Sequence, residues 1–316
     1  MSDELCDLTN IVVLRRELLA DGNSDASIRA MVKGGELHRV RHGSYVDAEL
    51  WRSLNASDRH RVLVRAVLRT AHPSAVVSHV SAAVEHGAAV WGLDLDKVHL
   101  TRLDGRIGRR EAGVVQHRGQ LLEGDIGLVN GLRVTLPARC AVEVVTMGMA
   151  EHALVTINSL LHARKLTRDE LVAMNRDLKH WPSTLSSAVV LRLCDERIES
   201  VGETRTSYLC YDQHLPRPVP QVEIKDERGW AVGRVDFAWP HAGVFLEFQG
   251  REKYLRFRRQ GESLEDYVLR EKRRIELICQ LTGWVCVPIT WADLGRPQVT
   301  AVRIRRILES RRTAGA

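Results

Sequence analysis

The chain has 316 residues, a formal net charge of +6 and a 44% hydrophobic fraction, the profile of an ordinary globular chain of two or three domains. No apolar run reaches the length of about eighteen residues that a membrane span needs, and the acidic start, Met1-Ser-Asp-Glu-Leu-Cys-Asp7, lacks the apolar centre of a secretory signal, so a cytoplasmic location is expected. The six cysteines (Cys6, Cys140, Cys194, Cys210, Cys279 and Cys286) show no paired spacing, which argues against a zinc site or a disulfide framework.

Residues 8–50 read as one small unit. Val12 to Ala20 suits a short helix with Leu14, Leu18 and Leu19 inward, broken at Asp21-Gly-Asn23. Ser24 is placed to cap a second helix from Asp25 to Lys33, with Ile28, Met31 and Val32 buried and Gly34-Gly35 ending it. A tight hairpin follows over Glu36 to Val46, turning at His42-Gly43. Helix, turn, helix and basic hairpin make a winged helix-turn-helix, and residues 1–52 are expected to be a DNA-binding domain. The second helix would enter the major groove, with Ser24, Ser27, Arg29 and Lys33 as candidate contacts. Arg39, Arg41 and His42 on the wing would meet phosphate or the minor groove. A structural or protein-binding winged helix would show the same pattern. The run Gly35 to Val46 resembles the N-terminal domain of AbiEi-type antitoxins, the DNA-binding autorepressors of type IV toxin–antitoxin systems. That resemblance covers about forty residues and implies that this segment binds DNA.

Residues 53–195 read as a mixed α/β scaffold. Asp58 to Arg69 suits a helix with Val62, Leu63, Ala66 and Val67 inward, and a second helix starts near Ser78. Val98 to Thr101, Gly113 to His117, Asp125 to Val129 and Gly131 to Thr135 suit strands. Pro137 to Val145, Ala150 to Ala163 and Thr167 to Leu178 return to helix. His79 and His86 lie two helical turns apart, a spacing open to metal binding but better suited to capping or core hydrogen bonds. Ser81 has no neighbouring base or elbow motif, so nucleophilic catalysis is not expected there.

The last third, residues 196–316, carries the chemistry. Glu199 to Tyr211 suits a helix capped by Ser200, with Glu203 completing a capping box. Val219 to Ile224 is a strand, and Gly233 to Gly250 is a strand pair turning at Pro240 to Gly243. Alternation groups Arg234, Asp236 and Ala238 on one face of the first strand, and Phe245, Glu247 and Gln249 on one face of the second. An aspartate and a glutamate on adjacent buried strands repel unless a cation lies between them. Two carboxylates around Mg²⁺ are a minimal apparatus for phosphodiester hydrolysis, whereas a surface hairpin would merely solvate both acids. Leu264 to Leu281 is a charged helix with Tyr267, Leu269, Ile275, Ile278 and Leu281 as its apolar stripe, and Trp284 to Thr290 is a buried strand. Residues 251–316 hold 15 basic and 8 acidic side chains, while the rest of the chain is near neutral. Beside an acid pair, this surplus, with Arg270, Lys272, Arg273 and Arg274 at its centre, reads as a backbone-tracking DNA surface.

Residues 196–294 resemble the PD-(D/E)XK restriction-endonuclease-like superfamily, in the branch related to very-short-patch-repair endonucleases. The matching blocks are Ser200-Val-Gly-Glu203-Thr-Arg205, Gly233-Arg-Val-Asp236, Leu246-Glu247-Phe-Gln-Gly250, Lys253-Tyr254, Glu271-Lys272-Arg273, Gly283-Trp284 and Trp291-Ala-Asp293-Leu294. No single block is specific, but the ordered set is. The resemblance implies that Asp236 and Glu247 bind Mg²⁺ or Mn²⁺, with Glu203 as a supporting acid. One position departs: Gln249 stands where the superfamily pattern has lysine. Glutamine can orient a water but carries no charge, and losing one preorganised charge costs about 3 kcal/mol in transition-state stabilisation. Gln249 or Lys253 would then position the attacking water.

The expectation is thus an α+β multidomain protein: a winged helix-turn-helix, a mixed α/β middle region and a C-terminal restriction-endonuclease-like α/β core. Two functions follow. The first is a metal-dependent DNA endonuclease. The second is a non-cutting, antitoxin-like repressor whose partners are DNA and a cognate toxin protein. RNA processing is a third and weaker class. A homodimer is compatible with each.

Overall fold

The computed structural model describes residues 10–105, 112–178, 184–250 and 261–313. Helices and three sheets build an α+β chain whose contacts divide it into two units, Met1–Leu191 and Arg192–Ala316. No helix among the described residues is long and apolar enough to cross a membrane.

The first unit begins with β1 (Val13–Leu14), α1 (Arg15–Ala20), α2 (Asp25–Gly34), β2 (Leu37–Arg41), β3 (Ser44–Asp47), α3 (Ala48–Ser53) and α4 (Ala56–Leu68). The strands form an antiparallel sheet in the order β1-β3-β2. The expected first helix starts at Arg15 rather than Val12. Val13 and Leu14 instead pair with Tyr45 and Ser44, as the β-branched run Ile11-Val-Val13 favours. The second helix is capped as its sequence suggests: the Ser24 hydroxyl accepts from the Ser27 N–H, and Gly35 closes it at φ 78°. Val12, Val46, Leu54, Val62 and Ala66 share one apolar cluster, so α4 closes the core of the small sheet.

The unit continues through β4 (Ala75–Val77), α5 (His79–Glu85), β5 (Val98–Arg102), β6 (Val114–His117), β7 (Ile126–Val129), β8 (Leu132–Thr135), α6 (Pro137–Val145), α7 (Ala150–His162) and α8 (Arg168–Asp177). A further helix, α9 (Thr184–Leu193), runs across the boundary between the units. The five strands form a mixed sheet in the order β6-β5-β4-β8-β7.

Under this sheet lies a buried polar network. Glu143, fully buried, accepts from the His79 N–H at 2.9 Å, the Thr135 hydroxyl at 2.9 Å and Arg139 Nε at 3.1 Å. Arg139 also pairs with Asp125 at 3.2 Å. His79 stacks on His117 with ring centroids 3.4 Å apart, and His99 Nδ1 lies 2.7 Å from His117 Nε2. His86 Nε2 bonds the Thr135 carbonyl oxygen. His79 and His86 therefore serve core hydrogen bonding. Burial, and then the neighbouring imidazoles, depress the His99 ring to about 3; burial depresses His117 to about 4 and pushes His79 well below its usual value.

These depressions set an acid limit. The folded unit keeps the three rings neutral, while the unfolded chain protonates them below about pH 6.5. Stability is thus fully present above pH 6.5 and falls as pH drops toward 4, by about 1.4 kcal/mol per pH unit for each ring that titrates only when unfolded. Burial raises the Glu143 carboxyl, which acts in the opposite sense, but one carboxyl faces three rings. Urea unfolding is expected to show a lower midpoint for this unit at pH 5 than at pH 7.5. Equal midpoints would mean that the rings take up protons in the folded state.

The second unit comprises α10 (Val201–Asp212), β9 (Val219–Lys225), β10 (Ala231–Trp239), β11 (Val244–Gln249), α11 (Leu264–Thr282), β12 (Val285–Thr290), α12 (Trp291–Leu294) and α13 (Pro297–Thr313). Its sheet has the order β12-β11-β10-β9, antiparallel except for the parallel pair β11 and β12. Phe237, Trp239, Leu246 and Phe248 pack with Leu209 of α10 and Ile304 and Leu308 of α13. Ala238 and Phe245 pack with Ile278 of α11. The two central strands are therefore apolar toward both neighbours. The stripe expected on α11 is corrected in part: Tyr267 and Ile278 are buried, but Leu269 and Leu281 are exposed, because the sheet covers only one narrow face of this helix.

Candidate functional site

The site is built by the strand pair. Phe237 lies opposite Leu246 in the β10–β11 ladder, and one further step sets Asp236 against Glu247. Both side chains are buried, at 7% and 5% exposure. The Phe248 N–H donates to Asp236 Oδ2 at 2.7 Å, so the carboxylate also satisfies the backbone of the neighbouring strand. Like charges directly opposed on two strands destabilise a sheet. The structure offsets part of that repulsion with Arg274 of α11, whose Nη2 lies 3.1 Å from Glu247 Oε1.

Arg274 is itself held in place. Its Nε donates to Glu271 Oε2 and its Nη1 to the Arg234 carbonyl oxygen, both at 2.9 Å. Burial works to lower its pKa, but Glu247 and Glu271 outweigh this and raise it, so the guanidinium stays charged. Cys286 of β12 faces the same region. Burial first, and then Glu247, push its thiol up to about 12, so it remains protonated and unreactive.

Glu203 approaches from the start of α10. Its carboxylate accepts from the Glu199 N–H at 3.0 Å, the Ser200 hydroxyl at 2.8 Å and the Gln221 amide at 2.9 Å. The Ser200 hydroxyl in turn accepts from the Glu203 N–H, so Ser200 caps the helix as expected. The full capping box does not form, because the Glu203 carboxylate takes the Glu199 N–H and the Ser200 hydroxyl rather than the Ser200 N–H. Close approach of α10 to β11 depends on Gly202. A methyl group there would lie 2.0 Å from the Phe248 ring, and one on Gly250 would lie 2.7 Å from it.

Glu203, Asp236, Glu247 and Gln249 all line one cavity of about 760 Å³, together with Arg234, Arg270, Lys272 and Arg274. Gln249 is exposed at its wall. Lys253 lies outside the described residues. Among the described residues, no three histidine, cysteine, aspartate or glutamate side chains stand together closely enough to hold a metal ion. The three acids thus share a cavity without forming a three-carboxylate cage. The donor set still suits a hard dication, because Mg²⁺ is commonly held by one or two carboxylates, with waters and phosphate oxygens completing its shell. Among the described residues of the cavity lining, Glu199, Glu203, Asp236, Glu247, Glu271 and Glu276 are acidic and Arg234, Arg270, Lys272 and Arg274 are basic.

The expected DNA contacts on α11 divide. Arg270 is engaged by Glu262 at 2.8 Å and Glu271 at 3.3 Å, and Arg274 is engaged as above, whereas Lys272 and Arg273 are exposed. In the first unit, Arg29, Lys33, Arg39 and His42 are exposed and Arg41 is half-buried. The Ser24 and Ser27 hydroxyls each accept from the other's backbone N–H, which leaves them less free for bases. His38 stacks on Trp51 with ring centroids 4.4 Å apart, which stiffens the hairpin beside Arg39. Sequence reasoning did not foresee the pairing of Arg274 with Glu247 or the contact of Gln221 with Glu203. The only advance signal was the Glu271–Arg274 spacing, which places the two on one helical face.

No family model matches the chain. It is 30% identical over 240 residues to the uncharacterized protein Rv2248 of Mycobacterium tuberculosis (strain ATCC 25618 / H37Rv), covering 75% of this chain and 84% of that protein. The same values hold for the uncharacterized protein MT2308 of Mycobacterium tuberculosis (strain CDC 1551 / Oshkosh). Among solved structures, the RV2827C protein from Mycobacterium tuberculosis aligns with a TM-score of 0.39 at 15% identity, covering 58% of this chain and 71% of that one.

Proposed function

The chain belongs to the family of the uncharacterized Mycobacterium tuberculosis protein Rv2248, and we propose that it is a DNA-binding protein whose second unit hydrolyses phosphodiester bonds with a divalent cation. One observation carries this reading: Asp236 and Glu247 are buried on opposed strands and line one cavity together with Glu203. The described elements of this unit run helix, three strands, helix, strand, the order expected from the resemblance to the PD-(D/E)XK superfamily, and this supports the reading. Asp236 and Glu247 would hold Mg²⁺ or Mn²⁺, which would polarise a phosphoryl oxygen and activate a water. Glu203 holds the start of α10 against the cavity through Ser200 and Gln221. Gln249, neutral and at the wall, can orient a water through its amide but cannot take its proton.

The first unit would bring the protein to duplex DNA as a winged helix-turn-helix, with Arg29 and Lys33 of α2 and Arg39 and His42 of the hairpin on the contacting face. Lys33→Ala is expected to weaken binding about equally across sequences and to make the slope of log K against log salt shallower by about 1. For about six neutralised phosphates the parent slope is near −5. A salt-independent affinity would remove the nucleic-acid reading.

A second reading, a non-cutting repressor of antitoxin type with DNA and a toxin protein as partners, is favoured by two observations. The Glu203 carboxylate already serves three donors, and no three-acid metal group stands among the described residues. Supercoiled plasmid incubated with the protein and Mg²⁺ or Mn²⁺ decides between them. Metal-dependent nicking supports the nuclease; sequence-selective binding with no nicking supports the repressor.

A further inference from the structure

We infer that Arg274 is the cation that meets the phosphate at this site; the inference rests on the phosphodiesterase reading above and extends it to a residue of α11. A dianionic phosphorane forming beside two carboxylates is stabilised by a positive side chain as well as by a metal. Gln249 is neutral. Arg234 is paired with Glu199 at 2.5 Å, Arg270 is held by Glu262 and Glu271, and Lys272 lines the cavity as an exposed side chain on the solvent side of α11. Among the ion pairs of the described residues, that of Arg274 reaches the acid pair itself, through Glu247 Oε1 at 3.1 Å.

Its geometry is that of a preorganised donor. Glu271 takes its Nε–H, the Arg234 carbonyl takes one Nη1–H, and Glu247 faces Nη2. A guanidinium has five N–H groups, so among the described residues one on each terminal nitrogen is left to a ligand. Two parallel N–H groups in a fixed fork match two oxygens of a phosphate. The anchors on either side mean that the fork is set before substrate arrives.

In the reaction, the oxygen of water forms a bond to phosphorus and the bond from phosphorus to the leaving sugar oxygen breaks. The attacking water loses its proton to solvent, and the leaving oxygen takes one from solvent. Negative charge rises on the non-bridging oxygens, and Arg274 meets it there. A guanidinium cannot serve as the base, so its contribution is charge and orientation alone.

The test compares full-length wild type with Arg274→Lys and Arg274→Gln by plasmid nicking, by calorimetric Mn²⁺ affinity, and by binding of a short duplex in Ca²⁺. Arg274→Gln is expected to slow nicking about 100-fold or more, and Arg274→Lys to recover about a tenth of the wild-type rate. Mn²⁺ affinity in Arg274→Gln is expected to stay equal or to tighten, since a fixed charge beside Glu247 is gone. Nicking by Arg274→Gln within about threefold of wild type overturns the inference, as does a rate loss that follows lost Mn²⁺ binding. Wild type that binds the duplex but never nicks it overturns the nuclease reading instead. The role of Arg274 then stands if Arg274→Gln weakens duplex binding in Ca²⁺ about tenfold, and falls if binding is unchanged.

Discussion

Asp236→Asn is expected to reduce metal-dependent plasmid nicking about 1,000-fold or more while leaving the protein folded. The two consequences have separate causes. Asparagine keeps a carbonyl oxygen that can accept the Phe248 N–H, so the strand pair retains its bond at that point. It also removes one of two opposed negative charges, which relieves the repulsion with Glu247. The melting temperature should therefore hold or rise. On the proposed reading, catalysis would lose one of two hard anionic ligands, and with it charge that would draw a dication into the cavity. Calorimetry should show Mn²⁺ affinity falling in step with the rate. Nicking that survives in Asp236→Asn would place the chemistry elsewhere.

Glu143→Ala is expected to destabilise the first unit by about 3–5 kcal/mol. The carboxylate is fully buried and serves three donors: the His79 N–H, the Thr135 hydroxyl and Arg139 Nε. Alanine leaves all three without that acceptor and leaves Arg139 with Asp125 as its carboxylate partner at 3.2 Å. His79 also holds a left-handed backbone at φ 55°, an unfavourable conformation for a residue with a side chain, and the Glu143 contact to its N–H helps to secure it. Urea unfolding followed by circular dichroism measures the loss. A change below about 1 kcal/mol would mean that water reaches the network and replaces the carboxylate.

Much of the second unit was legible in the chain. Alternation placed Asp236 and Glu247 on strands, and the Ser200–Glu203 spacing gave the cap of α10. Gly34-Gly35 correctly ended α2. What sequence periodicity missed has a common cause: it was decided by partners distant along the chain. Three-residue β4 is too short to show alternation and exists because β5 and β8 flank it. Leu269 and Leu281 have the spacing of a buried stripe, yet the width of the sheet leaves them exposed. The buried histidines look like surface groups to any hydropathy pattern. They are held together by ring contacts between positions distant in sequence, His79 on His117 and His99 with His117. Arg274 reads locally as one of a run of basic side chains, and only the crossover of α11 between β11 and β12 brings it to Glu247.

Phe248 joins two tasks that are usually kept apart. Its amide steadies Asp236, and its ring fills the gap left by two side-chain-free positions, Gly202 and Gly250. Mutational tolerance at these three positions should therefore be narrow even where no ligand is touched. A lineage without the proposed reaction would still have to retain this glycine–aromatic–glycine wedge in order to fold. Persistence of the wedge in related chains accordingly reports architecture, whereas persistence of the two strand carboxylates would report chemistry.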